Sequence, residues 1–195
     1  KLDKINPYIF IYSIRDICKF PLTQNYFQII NFINNKKFSN IFAKSINKIN
    51  KSIIDLKSAT LFTSKIHNPQ KTTQQIKSYL SKNNSEIGIG LYGEKRKVYK
   101  GSNFISLLNN KIRRDIHLGI DFFVEAGINV RAPLEGKVII LQNNKDEFDY
   151  GPTVVLEHTI TQKVKFYTLY GHLSKKCMKN LFIGKKIKGG VEFAE

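Results

Sequence analysis

The chain has 195 residues, room for one ordinary domain with a tail or for two small domains. Hydrophobic residues make up 42% and aromatics 12%, so there is material for a core, and disorder throughout is excluded. The net charge of +17 would suit nucleic acid, anionic lipid or an acidic polymer. Only 5 of the 32 cations are Arg, however, and Lys, Asn and Ile are raised together as an A/T-rich coding sequence would raise them, so charge alone assigns no partner.

The longest apolar stretch is about seven residues, around Tyr8 to Ile14, where a membrane helix needs about 20, so no bilayer-spanning segment is expected. The chain starts at Lys1 rather than Met, with no basic and apolar leader, which is the pattern of a piece from inside a longer protein. From Asn6 to Leu61 apolar residues recur at steps of three and four. Phe27, Ile30, Phe32 and Ile33 make one group, Phe38, Ile41 and Phe42 a second, and Ile46, Ile49 and Ile53 a third. This predicts a helical segment over 1–61, with Pro21 starting or breaking a helix. Residues 62–86 read as a polar connector holding one short helix at Gln74 to Leu80.

From Ile87 the texture changes to short β-prone runs punctuated by Gly, Pro and Asn. Val130–Pro133 and Lys137–Leu141 flank a turn at Leu134, Glu135 and Gly136. Thr153–His158 follows a Tyr-Gly-Pro turn. In Lys163–Tyr170, Val164, Phe166, Thr168 and Tyr170 alternate with Lys165, Tyr167 and Leu169. The predicted fold class is α+β: an N-terminal helical segment, then an all-β, mainly antiparallel sheet domain over 87–195.

Several residues carry candidate chemistry. Gly88, Gly90 and Gly93 form a Gly-x-Gly-x-x-Gly string, but Glu94-Lys95-Arg96-Lys97 follows where a dinucleotide fold needs a helix, so no nucleotide site is expected. His117 and Asp121 are four apart, and both residue types suit zinc. On a straight strand they would be about 13 Å apart, so one metal requires a bend, which Gly119 permits. His172 follows Gly171 at a strand end, a place from which an imidazole can reach a cleft as a proton-transfer group. His158 ends another strand and is read as structural, while His67 has no assigned role. Cys18 and Cys177 lack metal or disulfide spacing and read as small buried hydrophobes.

The blocks IHLGID, AGINVRAPLEGKVI, YGPTVVLEH, FYTLYGHLS and GKKIKGG, in order from Ile116 to Gly190, resemble the lysostaphin-type zinc metallopeptidases. These are the LytM-like peptidoglycan endopeptidases, built on a β-sheet core with the duplicated hybrid motif. The resemblance implies His117 and Asp121 as zinc ligands and His172 as a catalytic side chain beside the metal. It implies Zn2+ as cofactor and a peptidoglycan peptide cross-link as substrate. The family completes its site with a later His-x-His, one His a third ligand, and no His follows His172 before Glu195. Three protein ligands plus a water is the usual catalytic number. The expectation is therefore a C-terminally truncated site that binds zinc poorly and hydrolyses nothing.

A second resemblance joins IGIGLYGEKRKVY and RRDIHLGIDFF to a form of this domain that lies behind an aminoglycoside-phosphotransferase-like kinase and ahead of a class III aminotransferase. It would make residues 1–61 the tail of the kinase-like domain. Two rivals stand beside the peptidase reading. One is a non-catalytic binding or docking module of the same fold. The other, a nucleic-acid-binding protein, is disfavoured because the Lys and aromatic spacing matches no reading module. Localisation follows the choice: cell envelope for a wall hydrolase, cytoplasm for the fusion form.

Overall fold

The computed structural model describes residues 23–57, 69–96, 99, 104–105, 111–145 and 149–195. The apolar stretch at Tyr8–Ile14, Cys18, Pro21 and His67 lie outside them. The chain divides into two units, one of Lys1–Asn47 with Glu125–Glu195, the other Lys48–Val124. Among the described residues no helix is long and apolar enough to cross a membrane.

In the first unit, α1 runs Gln24–Asn35, capped by Thr23, whose hydroxyl accepts from the Tyr26 amide at 3.3 Å. The helix stops at Lys36, short of the segment that the apolar spacing predicts. Asn34 and Asn35 are weak material for prolonging it. Beyond it the backbone is claimed by other partners: the Ser39 amide donates to the Pro133 carbonyl at 2.9 Å, and the Ile41 carbonyl accepts from the Arg131 amide at 2.8 Å. Phe32 in turn brings its ring to 6.0 Å from that of Phe166.

From Glu125 onward the described residues of this unit are mainly β-sheet, as the alternating runs predict, with one 3-10 turn at Cys177–Lys179. Its strands are β6 (Val130–Arg131), β7 (Gly136–Asn143), β8 (Pro152–Thr159), β9 (Lys165–Tyr170), β10 (Lys186–Ile187) and β11 (Glu192–Ala194). Four form an antiparallel sheet in the order β10-β7-β8-β9, and β6 pairs with β11. The central β8 is buried from Thr153 to Leu156, while β9 alternates between half-buried and exposed residues. Val138, Val154, Leu156, Ile187 and Phe193 make the core, with Cys177 among them as a free, buried thiol.

His158 is a structural residue of this sheet. Its Nδ1 lies 2.7 Å from the Glu135 carbonyl oxygen and its Nε2 2.8 Å from the Thr168 hydroxyl, and its ring stacks on Phe166 at 4.8 Å. Burial pushes the imidazole below its ordinary pKa, against the pull of the Glu135 carbonyl. The unfolded chain then binds a proton at about pH 6.5 that the folded chain resists. The stabilisation is complete above that pH and is lost as pH falls toward the folded-state value. Thermal unfolding between about pH 8 and 5 is therefore expected to show a downward slope that flattens in His158→Gln. An identical slope in the variant would assign the acid sensitivity elsewhere.

In the second unit, β1 (Lys51–Ile53) pairs in parallel with β2 (Ile87–Gly90), which pairs antiparallel with β5 (Asp121–Phe123). A shorter pair joins β3 (Glu94–Lys95) to β4 (Ile116–His117). The strand at 51–53 stands where helical spacing was expected. Ile-rich sequence satisfies a spacing of three or four and a strand equally well, and tertiary pairing decides. The α2 helix spans Pro69–Lys82, longer than the expected Gln74–Leu80. Pro69 takes the first position, where its missing N–H costs nothing. Only Ile76, Tyr79 and Leu80 form its apolar stripe, packed with Ile54, Leu56 and Phe123.

Candidate metal site

The Gly-rich string proves to be a strand and a turn. Gly88 and Gly90 lie within β2, Gly93 sits in a turn at φ +71°, and β3 follows directly. Gly90 pairs with Asp121 across the sheet. A Cβ at Gly90 would come to 3.0 Å from Asp121 Oδ2 and 3.2 Å from Arg96 Nη2, so the missing side chain leaves room for their contact.

The chain leaves β4 at His117, turns through Leu118, Gly119 and Ile120, and enters β5 at Asp121 in another sheet. That turn brings His117 Nε2 to 3.4 Å from Asp121 Oδ1. Two ligands at about 2.0–2.1 Å from one tetrahedral zinc are roughly 3.3 Å apart, so the pair fits two corners of a common site. A Cβ at Gly119 would lie 3.1 Å from Nε2, so glycine also keeps this nitrogen uncovered. His117 Nδ1 faces the Leu91 carbonyl oxygen at 3.5 Å, at the long limit of a hydrogen bond, an orientation that directs Nε2 toward Asp121. Burial pushes the His117 pKa down, against the pull of Asp121 and with the help of Arg96. The neutral imidazole that results is the form that ligates a cation.

Behind Asp121 lies a charge network that the sequence reading did not single out. Arg96 Nη2 donates to Asp121 Oδ2, its Nε to Glu94 Oε2 at 3.2 Å, and its Nη1 to the Tyr99 hydroxyl at 3.0 Å. Glu94 Oε1 accepts from the Leu56 amide at 2.8 Å. The Glu94 side chain is 1% exposed and that of Arg96 7%. Burial works against the Arg96 charge, but Asp121 and Tyr99 outweigh it and hold the guanidinium above its usual pKa. The available signal was a spacing of two, Glu94 then Arg96, which places both on one face of a strand.

His172 belongs to the first unit. It follows β9 and Gly171 with φ +57°, a left-handed conformation uncommon outside glycine. Its amide donates to the Tyr150 carbonyl at 2.6 Å, and the two rings are 6.1 Å apart. The side chain is exposed. Among the described residues, no three His, Cys, Asp or Glu side chains gather as a metal-holding group.

The geometry is thus a His and an Asp brought together by a turn within a β-rich segment. Residues 115–195 match the profile of Peptidase family M23, the family of LytM- and lysostaphin-type enzymes, so this segment is similar to a peptidase-type domain. The family is generally zinc-dependent. No curated protein and no solved structure matches the chain.

Proposed function

We propose that the β-rich part of the chain, residues 87–195, is a zinc metalloendopeptidase-type domain directed at the peptide cross-links of peptidoglycan. The observation that carries this reading is the 3.4 Å approach of His117 Nε2 to Asp121 Oδ1 within a segment matching Peptidase family M23. His117 and Asp121 would hold the zinc, and among the described residues no third His, Cys, Asp or Glu joins them. Zinc bound there would polarise a peptide carbonyl and lower the pKa of its water. Asp121 contributes negative charge and His117 a neutral nitrogen. By the family resemblance, His172 is the side chain that moves a proton or steadies the developing oxyanion. Its left-handed backbone is the kind of strain that a positioned side chain justifies.

Two ligands hold zinc less firmly than three, so a site limited to His117 and Asp121 is expected to bind zinc weakly and without peptidase turnover. The same observation favours the second reading, a binding or docking module that keeps the fold and dispenses with catalysis. Equilibrium dialysis against zinc, with a cross-linked muropeptide assay on the same sample, separates the two. Weak zinc binding that disappears in His117→Ala, without cleavage, is the expected result. Tight 1:1 zinc and turnover would overturn the inactivity, and no zinc uptake at all would leave the docking module.

A further inference from the structure

We propose that Arg96 is a positioning residue for Asp121: by engaging Oδ2 it leaves Oδ1 alone beside His117 Nε2, so the carboxylate meets a cation through one oxygen in one orientation. This rests on the reading of His117 and Asp121 as zinc ligands.

Three features of the second unit lead here. The first is the guanidinium, each of whose nitrogens has its own partner: Nε on Glu94, Nη1 on Tyr99 and Nη2 on Asp121. A planar fork tied at three points has little freedom to swing, and a Lys ammonium could not reproduce it. The second is the cost of the arrangement. Burying a Glu–Arg pair is no better for stability than burying two apolar side chains of similar volume, so stability alone is a weak reason for it. The third is the accommodation by the backbone, since Gly90 leaves open the space that the Arg96–Asp121 contact occupies.

Electrostatics agree. A lone guanidinium behind a metal ligand would repel the cation, but the Glu94 carboxylate at 3.2 Å cancels the added charge. The Arg96–Glu94 pair therefore orients Asp121 without opposing a cation. Pairing of Gly90 with Asp121 fixes the backbone of this residue, and Arg96 fixes its side chain. A free carboxylate could turn or offer both oxygens, as larger oxygen-seeking cations prefer, whereas a held one offers a single oxygen to a tetrahedral ion.

The test is a zinc titration of the 195-residue chain followed by NMR at the His117 ring nitrogens, which registers weak binding and needs no turnover. Arg96→Lys keeps the charge and loses the fork. A second variant, Arg96→Met with Glu94→Gln, removes both charges and decides the matter if Arg96→Lys does not fold. Zinc affinity at His117 is expected to fall about 10–100-fold in each folded variant, with an altered Nε2 shift at saturation. A folded variant that keeps the wild-type shift and an affinity within about twofold would overturn the proposal and leave the zinc site standing. A wild-type chain whose His117 signals ignore zinc would overturn the ligand reading, and the proposal with it.

Discussion

Glu94→Ala is expected to destabilise the chain by about 3–5 kcal/mol, the range for breaking a buried ion pair from one side. Glu94 is the anchor of the network: Oε2 accepts from Arg96 Nε at 3.2 Å and Oε1 from the Leu56 amide at 2.8 Å. The truncation leaves Arg96 buried with Asp121 and Tyr99 as remaining partners, which holds the loss near the lower end of that range. It also orphans the Leu56 amide, an unmade buried hydrogen bond that costs about 1–3 kcal/mol and moves the total back up. Glu94→Gln keeps an acceptor for Leu56 and loses only the charge, so it should fall clearly between wild type and alanine. Urea unfolding of the three proteins checks the order. A Glu94→Ala midpoint close to wild type would mean that water replaces the carboxylate and that the network is not closed.

What could be read from the sequence depended on whether the signal was local. The β7, β8 and β9 strands were legible because alternation and Gly or Pro turns are properties of neighbouring residues, and the half-buried and exposed faces of β9 fall as its alternation predicts. The His117–Asp121 approach was legible for the same reason, the two being four positions apart with a glycine between. The β1 strand was not, because its three residues take their identity from β2, a partner more than thirty positions on. The extent of α2 was hidden by a stripe of only three apolar residues. The contact between Arg96 and Asp121 spans 25 positions, and the Gly90 that makes room for it lay in a string suggestive of a nucleotide loop. The pairing that orients a candidate ligand is long-range, and composition and period carry no trace of such contacts.

In the first unit the largest loss is expected from Leu156→Ala, about 2–5 kcal/mol, the usual range for a buried leucine reduced to alanine. Leu156 is 0% exposed and lies on β8, opposite Val138 of β7 and Thr168 of β9. Strands paired on both sides resist collapse into the space left behind, so the cavity term persists and the cost should lie in the upper half of the range. Leu169→Ala is the matched control. It removes the same atoms from β9, the neighbouring strand, but Leu169 is 52% exposed and paired across from Val155. Little water-excluded area disappears there, and a loss of about 0.5 kcal/mol is expected, as for a surface substitution. The difference between the two variants isolates burial from helix or strand propensity, because both exchange leucine for alanine within adjacent strands. Chemical unfolding of the pair gives the comparison directly. Equal losses would mean that the face of β9 carrying Leu169 is covered in solution, and that the core of this unit is not confined to the side lined by Val138, Val154 and Leu156.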